Sequence, residues 1–304
     1  MPIIYKCPNC GAAMEFSSEL QKLECKRCGT SIDVKTYEDE YASLMEEVSG
    51  STSDNSDYGF NNSEQDNDAD NNNMKIYHCQ SCGAELVADE YTSATFCSYC
   101  GNPTLVEDRL KGSFRPRSII PFKINKDQAV DIYKKWLKKG MLTPKELSRK
   151  STIEKISGVY VPFWLYDYSA RTMMSANANK VRTTRRGDTE YTYTDHFDVY
   201  RDVSAEFQRI PADASEKMPD EQMDMLEPYN YSEITDFAMP YLSGYLSEKY
   251  NYKADEIQSR AKKRADSYIT QIARDSITGY SSVIVRNNSI SMNGRGSEYA
   301  LLPV

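Results

Sequence analysis

Cys7-Pro8-Asn9-Cys10-Gly11, followed by Cys25-Lys26-Arg27-Cys28-Gly29, decides the fold at the N-terminal end of this 304-residue chain. The same C-x2-C-x14-C-x2-C spacing recurs 72 positions later, from Cys7 to Cys79. All eight cysteines of the chain belong to these two copies. An internal repeat of this kind predicts two copies of one small structural unit.

Paired cysteines with two residues between them are typical of tetrahedral zinc sites, because one tight knuckle directs both thiolates to the same metal. A glycine follows each pair, and glycine adopts a positive φ without steric cost. Four thiolates complete the coordination, so the sites are expected to be structural and not catalytic. We predict two zinc ions, one per ribbon, bound by Cys7, Cys10, Cys25, Cys28, Cys79, Cys82, Cys97 and Cys100.

Disulfides and iron are the alternatives to zinc. Residues 1–7 lack the charged start and apolar stretch of a signal peptide, and the thiols of a chain that is not exported stay reduced. Rubredoxin-like iron sites use similar knuckles, but no other feature of the sequence indicates electron transfer. His78 lies beside Cys79 and is interpreted as a flanking strand residue, since four cysteines already complete the site.

The sequence as a whole predicts an α+β protein: two small zinc ribbons on an acidic tether, followed by a larger domain with a mostly antiparallel sheet and helices. The segment 49–74 holds six acidic residues and no Lys or Arg, and it cannot bury enough surface to offset the entropy of ordering it. The alternative for part of this segment is that Tyr58-Gly59-Phe60 forms a short docking motif. The predicted boundaries are 1–36 for the first ribbon, 37–48 for a short helix, 49–74 for a disordered linker, 75–111 for the second ribbon and 112–304 for the α+β domain.

The pattern after residue 112 predicts alternating strands and helices. Asn125 and Gln128 form a capping-box sequence that predicts a helix ending at about Lys139. A stripe of apolar residues predicts a long helix from Ala254 to about Arg274. The other predicted elements are strands at Arg117–Ile124, Gly158–Ser169, Tyr191–Ala205, Tyr280–Arg286 and Glu298–Val304, a basic turn at Lys180–Asp188 and a helix at Pro219–Leu226.

Three short segments share an apolar pair, a proline and a further apolar residue: 119–122, 160–163 and 301–304. Proline cannot donate a hydrogen bond to a strand ladder, so it is confined to strand edges and bulges. These segments are therefore predicted to mark equivalent strand ends in one sheet.

Motifs for catalysis are missing from the sequence. It contains no G-x-x-x-x-G-K-[ST] phosphate loop, no H-E-x-x-H and no G-x-S-x-G. His196 follows Asp195 in the alternating stretch Tyr191–Tyr200, where an exposed strand face explains it without chemistry. We expect a protein that is not an enzyme and that acts as a scaffold or adaptor for protein partners.

Nucleic-acid binding is the alternative function. Two basic clusters could contact phosphate, but acids such as Asp188 and Asp255 are interleaved with them and favour solvated surfaces. The net charge of −8 includes the six linker acids, so the rest of the chain is close to neutral. The clusters are Lys180, Arg182, Arg185 and Arg186, and Arg260, Lys262, Lys263 and Arg264.

The motifs together resemble a bacterial family of TFIIB-type zinc-ribbon proteins, loosely labelled as primosomal or replication-restart helicase-like. The helicase label does not suit this chain, because the phosphate loop of such motors is missing. The resemblance rests on CPNCG (7–11), CGAELVAD (82–89), IIPFKI (119–124), GVYVPFW (158–164), EKMPD (216–220) and YALLPV (299–304).

This resemblance implies a zinc-ligand role for the eight cysteines and for no other residue. It also implies that similar chains continue past the final Pro-Val into hydrophobic segments that anchor the full-length form at the cytoplasmic face of the membrane. The 304 residues themselves hold no apolar run of about 20 residues, the length that spans a bilayer. The chain as given is therefore expected in the cytoplasm.

Overall fold

A computed structural model describes residues 2–40, 74–139, 144–153 and 156–304. The segment 49–73 of the predicted linker, with the Tyr58-Gly59-Phe60 motif, lies outside these residues. Of the predicted helix at 37–48, residues 37–40 are described and are helical, within a helix α1 that begins at residue 34. The α+β class is confirmed, since helices accompany antiparallel and mixed sheets.

The chain forms two compact units. Unit 1 comprises Met1–Pro162, Met225–Asn251 and Ala300–Val304, and unit 2 comprises Phe163–Asp224 and Tyr252–Tyr299. The predicted boundary at residue 112 falls inside unit 1. Two long strands contribute residues to both units, β10 (Val159–Arg186) and β14 (Ser282–Pro303).

Short strands and helices make up the rest of unit 1. The strands are β1 Pro2–Ile3, β2 Glu15–Ser17, β3 Lys22–Glu24, β4 Ser31–Ile32, β5 Met74–His78, β6 Glu85–Asp89, β7 Thr92–Phe96, β8 Pro103–Val106, β9 Ser118–Ile119, β12 Thr235–Asp236 and β13 Leu246–Glu248. The α-helices after α1 are α2 Lys126–Leu137 and α3 Lys150–Ile153. Single 3-10 turns occur at Glu107–Leu110, Gly112–Phe114, Lys145–Ser148, Tyr231–Glu233 and Met239–Leu242.

The main sheet has the strand order β1-β8-β7-β13-β10-β14-β9-β12. The pairs β10–β13 and β9–β14 are parallel, and the pairs β1–β8, β7–β8, β7–β13, β9–β12 and β10–β11 are antiparallel. Two smaller sheets, β2-β3-β4 and β5-β6, belong to the cysteine-rich segments. A strand predicted at Arg117–Ile124 is shortened to Ser118–Ile119, because Pro121 cannot continue the ladder.

The three proline-containing segments lie side by side in this sheet, as predicted. Val159 and Val304 exchange backbone hydrogen bonds of 2.9 and 2.8 Å, and Leu301 pairs with Ile119. The side chains of Ile119, Tyr160 and Leu301 have no exposed surface. The segments therefore contribute buried apolar side chains to the sheet.

Unit 2 is built on one long hairpin of β10 and β11 (Thr189–Asp213), whose ladder runs from Phe163 paired with Asp213 to Arg186 paired with Thr189. The two predicted strands are found, but the predicted turn at 180–188 was too wide. The strand continues to Arg186, and only Gly187, with φ +62°, supplies the turn geometry that glycine favours. The Thr- and Val-containing tip remains extended although its side chains face solvent.

The two predicted closing strands are one continuous strand, β14. The intervening segment is rich in Asn, Ser and Gly, a composition that is typical of a loop. It nevertheless lies within a strand whose neighbour in the sheet is β10. Tertiary pairing overrides local propensity here.

Helix α5 (Ala254–Asp275) packs against this sheet through the predicted stripe. Its fully or nearly fully buried residues recur every four positions and are mostly alanine, which lets the helix approach the strands closely. Ala273 and the following Ile277 join a core with Met174, Ala176 and Val199.

A buried ion pair ties α5 to the end of β11 and to α4 (Asp220–Asp224). The Arg260 guanidinium lies 2.8 Å from the carboxylate of Asp213, which is 1% exposed, and 3.0 Å from that of Asp220. Burial raises the pKa of Asp213, and Arg260 opposes that shift. Arg264 donates to the carbonyl oxygen of Pro211 at 2.7 Å. Arg260 and Arg264, two cations of the second predicted basic cluster, therefore stabilise the fold.

Arg260→Met is expected to destabilise the protein by about 3 kcal/mol, because it leaves the Asp213 carboxylate buried without its countercharge. The loss should shrink as the pH falls through the raised pKa of Asp213, since protonation removes the uncompensated charge. Denaturant unfolding at several pH values measures both effects. Lys262→Met, an exposed position on the same helix, is the matched control and should change stability little.

Candidate metal centres

The four cysteines of the first ribbon converge on one point. The Sγ atoms of Cys7 and Cys28 are 3.5 Å apart, as are those of Cys10 and Cys25, and all four lie within 4.8 Å of one another. A tetrahedron with metal–sulfur bonds of about 2.3 Å has sulfur–sulfur edges of about 3.8 Å. The cluster therefore has the size of a four-thiolate metal site.

The second ribbon repeats this arrangement. The Sγ distances are 3.8 Å from Cys79 to Cys100 and 3.7 Å from Cys82 to Cys97. In both ribbons these separations exceed the sulfur–sulfur bond of about 2.05 Å in a disulfide, and all eight cysteines are free. The eight cysteines therefore form no disulfides in this structure, and each cluster could hold a metal ion.

All four knuckles have the same backbone form. In the first, the Gly11 N–H donates to the Cys7 carbonyl oxygen at 2.8 Å, and the Cys7 N–H donates to the Ala12 carbonyl oxygen at 2.7 Å. The knuckle glycines have φ values between +72° and +76°, as their placement in the sequence predicts. This fold-back directs backbone N–H groups at the sulfurs.

Hydrogen bonds to sulfur favour the thiolate form that a metal requires. The hydroxyl and the backbone N–H of Thr30 lower the pKa of Cys28 to about 6. In the second ribbon the N–H groups of Cys100 and Tyr99 lower the pKa of Cys97 to about 6, against the effect of burial. Each ribbon thus contains at least one cysteine whose thiol is ionised near neutral pH.

The two ribbons share a core, although the sequence predicts separate units on a tether. Ile4 of the first ribbon packs in one apolar cluster with Cys79, Leu86 and Cys97 of the second. Strand β1 pairs with β8, the last strand of the second ribbon. A ribbon has few apolar side chains of its own, so burying Ile4 and Leu86 against each other removes from water surface that neither ribbon could cover alone.

The first ribbon is also joined to the rest of unit 1. The Phe16 N–H donates to the Ser243 carbonyl oxygen at 2.8 Å, and the Ser243 hydroxyl donates to that of Met14 at 2.7 Å. The Phe16 ring contacts Tyr241 edge-on, with ring centroids 5.1 Å apart. Both cysteine clusters therefore lie within a continuous fold.

The two histidines lie outside the clusters. His78 is exposed at the end of β5, and the set of ligand atoms beside it consists of cysteines alone. His196 is exposed on β11 opposite Asn179, and its Nδ1 lies 2.7 Å from the Asn179 side-chain oxygen. Both positions agree with the strand-face interpretations of the sequence.

The structure points to one basic segment that the sequence analysis did not single out. Residues 134–153 carry seven cations and one acid, and four of the cations lie on or directly after α2 next to an exposed Trp136. A count of charge in a sliding window would have found it.

A comparison with curated proteins finds a relative over the whole chain. The uncharacterized protein YdjG of Bacillus subtilis (strain 168) is 41% identical over 304 residues, which are 100% of this chain and 82% of the relative. The chain belongs to the YdjG family. The relative is bacterial, like the proteins that the sequence resembles.

Neither a protein-family model nor a solved structure matches the chain. In the part of the chain that the structure describes, no helix is long and apolar enough to cross a membrane.

The purified protein is expected to carry two metal ions, and Cys97→Ser should remove at least the ion of the second ribbon. Elemental analysis of the folded protein measures the ratio. Metal should also be released on acidification, because protons compete with the ion for the cysteine thiolates. Ser98→Ala, at the exposed neighbour of Cys97, should keep both ions. A wild-type ratio retained by Cys97→Ser would contradict the assignment.

Ile4→Ala is expected to cost about 3 kcal/mol, because it leaves a cavity between the ribbons. Thermal or denaturant unfolding of the metal-loaded protein measures the loss. Ile76→Ala, at a position 63% exposed on the second ribbon, is the matched control and should cost far less. Equal losses in the two variants would show that the shared core contributes nothing specific.

Proposed function

We propose that this protein is a non-enzymatic scaffold or adaptor that binds protein partners, with one zinc ion holding each ribbon. A closed site of four thiolates is typical of structural zinc, and zinc is preferred to iron because no other feature of the sequence indicates electron transfer. Two metal-bound ribbons packed around one core make a rigid platform without needing a large apolar interior.

The observation that carries the proposal is an apolar surface on the second ribbon. Ile76 of β5 and Val87 of β6 are directly opposite each other, and each is 63% exposed. Tyr99, in the last knuckle, is 77% exposed. Exposed aliphatic pairs and tyrosines are typical of protein-binding surfaces, because burying them on association removes apolar area from water.

The proposal includes a cytoplasmic location of the protein. Eight free cysteines in metal-site geometry suit the cytoplasm, where thiols are kept reduced. In the full-length form, anchoring at the cytoplasmic face of the membrane would use segments outside this chain, and it rests on the family resemblance alone.

A nucleic-acid accessory role is the second candidate. At the tip of the β10–β11 hairpin, Arg182 is paired across the ladder with Tyr193, which is 53% exposed. Guanidinium and aromatic side chains together suit single-stranded nucleic acid. Against this role, Arg182 lies 2.9 Å from the Asp195 carboxylate, which offsets its charge.

Replacing Ile76 and Val87 together by Ser is expected to abolish partner recovery, because it removes the apolar surface and leaves the ligands in place. Cross-linking of the zinc-loaded protein in a cell extract, followed by quantitative mass spectrometry, measures recovery. Leu20→Ser, at an exposed apolar position of the first ribbon, should leave recovery unchanged.

Metal analysis must give two ions for each of these variants, so that lost recovery is not lost folding. Unchanged recovery with the double variant would contradict the proposed surface. DNA binding that weakens steeply across a salt series from about 50 to 200 mM would favour the second candidate.

A further inference from the structure

Positive charge is concentrated in a short part of unit 1. Residues 134–153 carry seven cations and a single acid, Glu146, in a chain whose net charge is −8. The cations are Lys134, Lys135, Lys138, Lys139, Lys145, Arg149 and Lys150. Such a segment attracts an anionic partner even though the protein as a whole is acidic.

The first part of this segment forms the C-terminal end of helix α2. Asn125 and Gln128 close a capping box, with side-chain to backbone distances of 2.8 and 3.0 Å, which confirms the predicted start of the helix. Leu137 is buried. Ile132 and Trp136 stand one turn apart and are therefore on the same side, where they are 55% and 61% exposed.

Ile132 and Trp136 together form an apolar ridge, and the lysines around it are available for a partner. Lys134, Lys135, Lys138 and Lys139 are exposed, and none of them has an ion pair among the described residues. Lys135 and Lys139 follow Ile132 and Trp136 by three positions each, so they border the apolar ridge. The predicted clusters on the hairpin tip and on α5 differ, because Arg182, Arg260 and Arg264 are paired with acids there.

We propose that α2 docks on an anionic lipid surface, with Ile132 and Trp136 entering the headgroup region and the lysines contacting lipid phosphates. A helix with lysines beside a Trp-containing apolar ridge is typical of interfacial binding. Lipid suits the ridge better than nucleic acid does, because the exposed aliphatic side chain of Ile132 gains from leaving water but offers no ring for base stacking. The inference does not depend on the proposed protein-binding role.

The expected binding is weak and reversible. A lysine close to an anionic surface strengthens partitioning by about fivefold, so loss of two lysines should weaken it by about 25-fold. Screening limits this attraction to about 10 Å at 0.1 M salt, so binding should decline as salt is added.

The test is sedimentation of the metal-loaded 304-residue chain with vesicles of phosphatidylglycerol and phosphatidylcholine in equal parts, compared with pure phosphatidylcholine. We expect binding to the anionic vesicles alone. Trp136 emission should shift to shorter wavelength on binding, while Trp164, whose indole N–H donates to the Tyr252 carbonyl oxygen at 2.9 Å, supplies a constant background. Trp136→Phe should abolish the shift.

A charge-matched pair of variants decides whether α2 is responsible. Replacing Lys135 and Lys139 by Gln should weaken binding by about 25-fold. Replacing the exposed Lys262 and Lys263 of α5 by Gln removes the same charge and should have little effect. The proposal is overturned if anionic vesicles do not bind the chain at low salt, if both variants lose binding equally, or if Trp136 responds to an oligonucleotide and not to vesicles.

Discussion

The convergence of four thiolates at each of two points is the constraint on which the N-terminal third of this fold depends. The strands around each cluster are two to five residues long. Elements this short bury too little apolar area to offset the entropy of ordering them. A bound metal supplies the missing free energy in proteins of this kind, and the knuckle hydrogen bonds place the sulfurs at the separation that a tetrahedral ion requires.

The shared core links the two clusters to each other. Ile4 enters the second ribbon beside Cys79 and Cys97, and β1 adds to the ladder of β8. Disturbing either cluster should therefore disturb the packing of the other. This coupling gives a physical reason for two ribbons in one chain: together they enclose an apolar interior that one ribbon lacks. The exposed pair Ile76 and Val87 lies on the same second ribbon, so the proposed partner surface depends on the same metal site.

Local chemistry made much of this structure predictable. Cysteine spacing and the following glycines identified both clusters, and the Asn125 capping box and the apolar stripe of α5 identified two helices. Long-range contacts could not be predicted in this way. Nothing in the local sequence around Ile4 indicates that it packs on Cys97, and the Asn- and Ser-rich part of β14 is extended within a sheet whose strands are far apart in sequence. Arg260 looked like a solvated cation because its partner Asp213 lies 47 positions away.

Hydrogen exchange of the metal-loaded and chelator-treated chain, followed by mass spectrometry, tests the central claim most directly. If metal holds the ribbons and their shared core, chelation should abolish amide protection in β1–β8. The β10–β11 hairpin, which rests on its own ladder and on α5, should keep its protection. Full removal of metal with unchanged protection in the ribbons would contradict the account, because the ribbons would then be stable without the ions assigned to them.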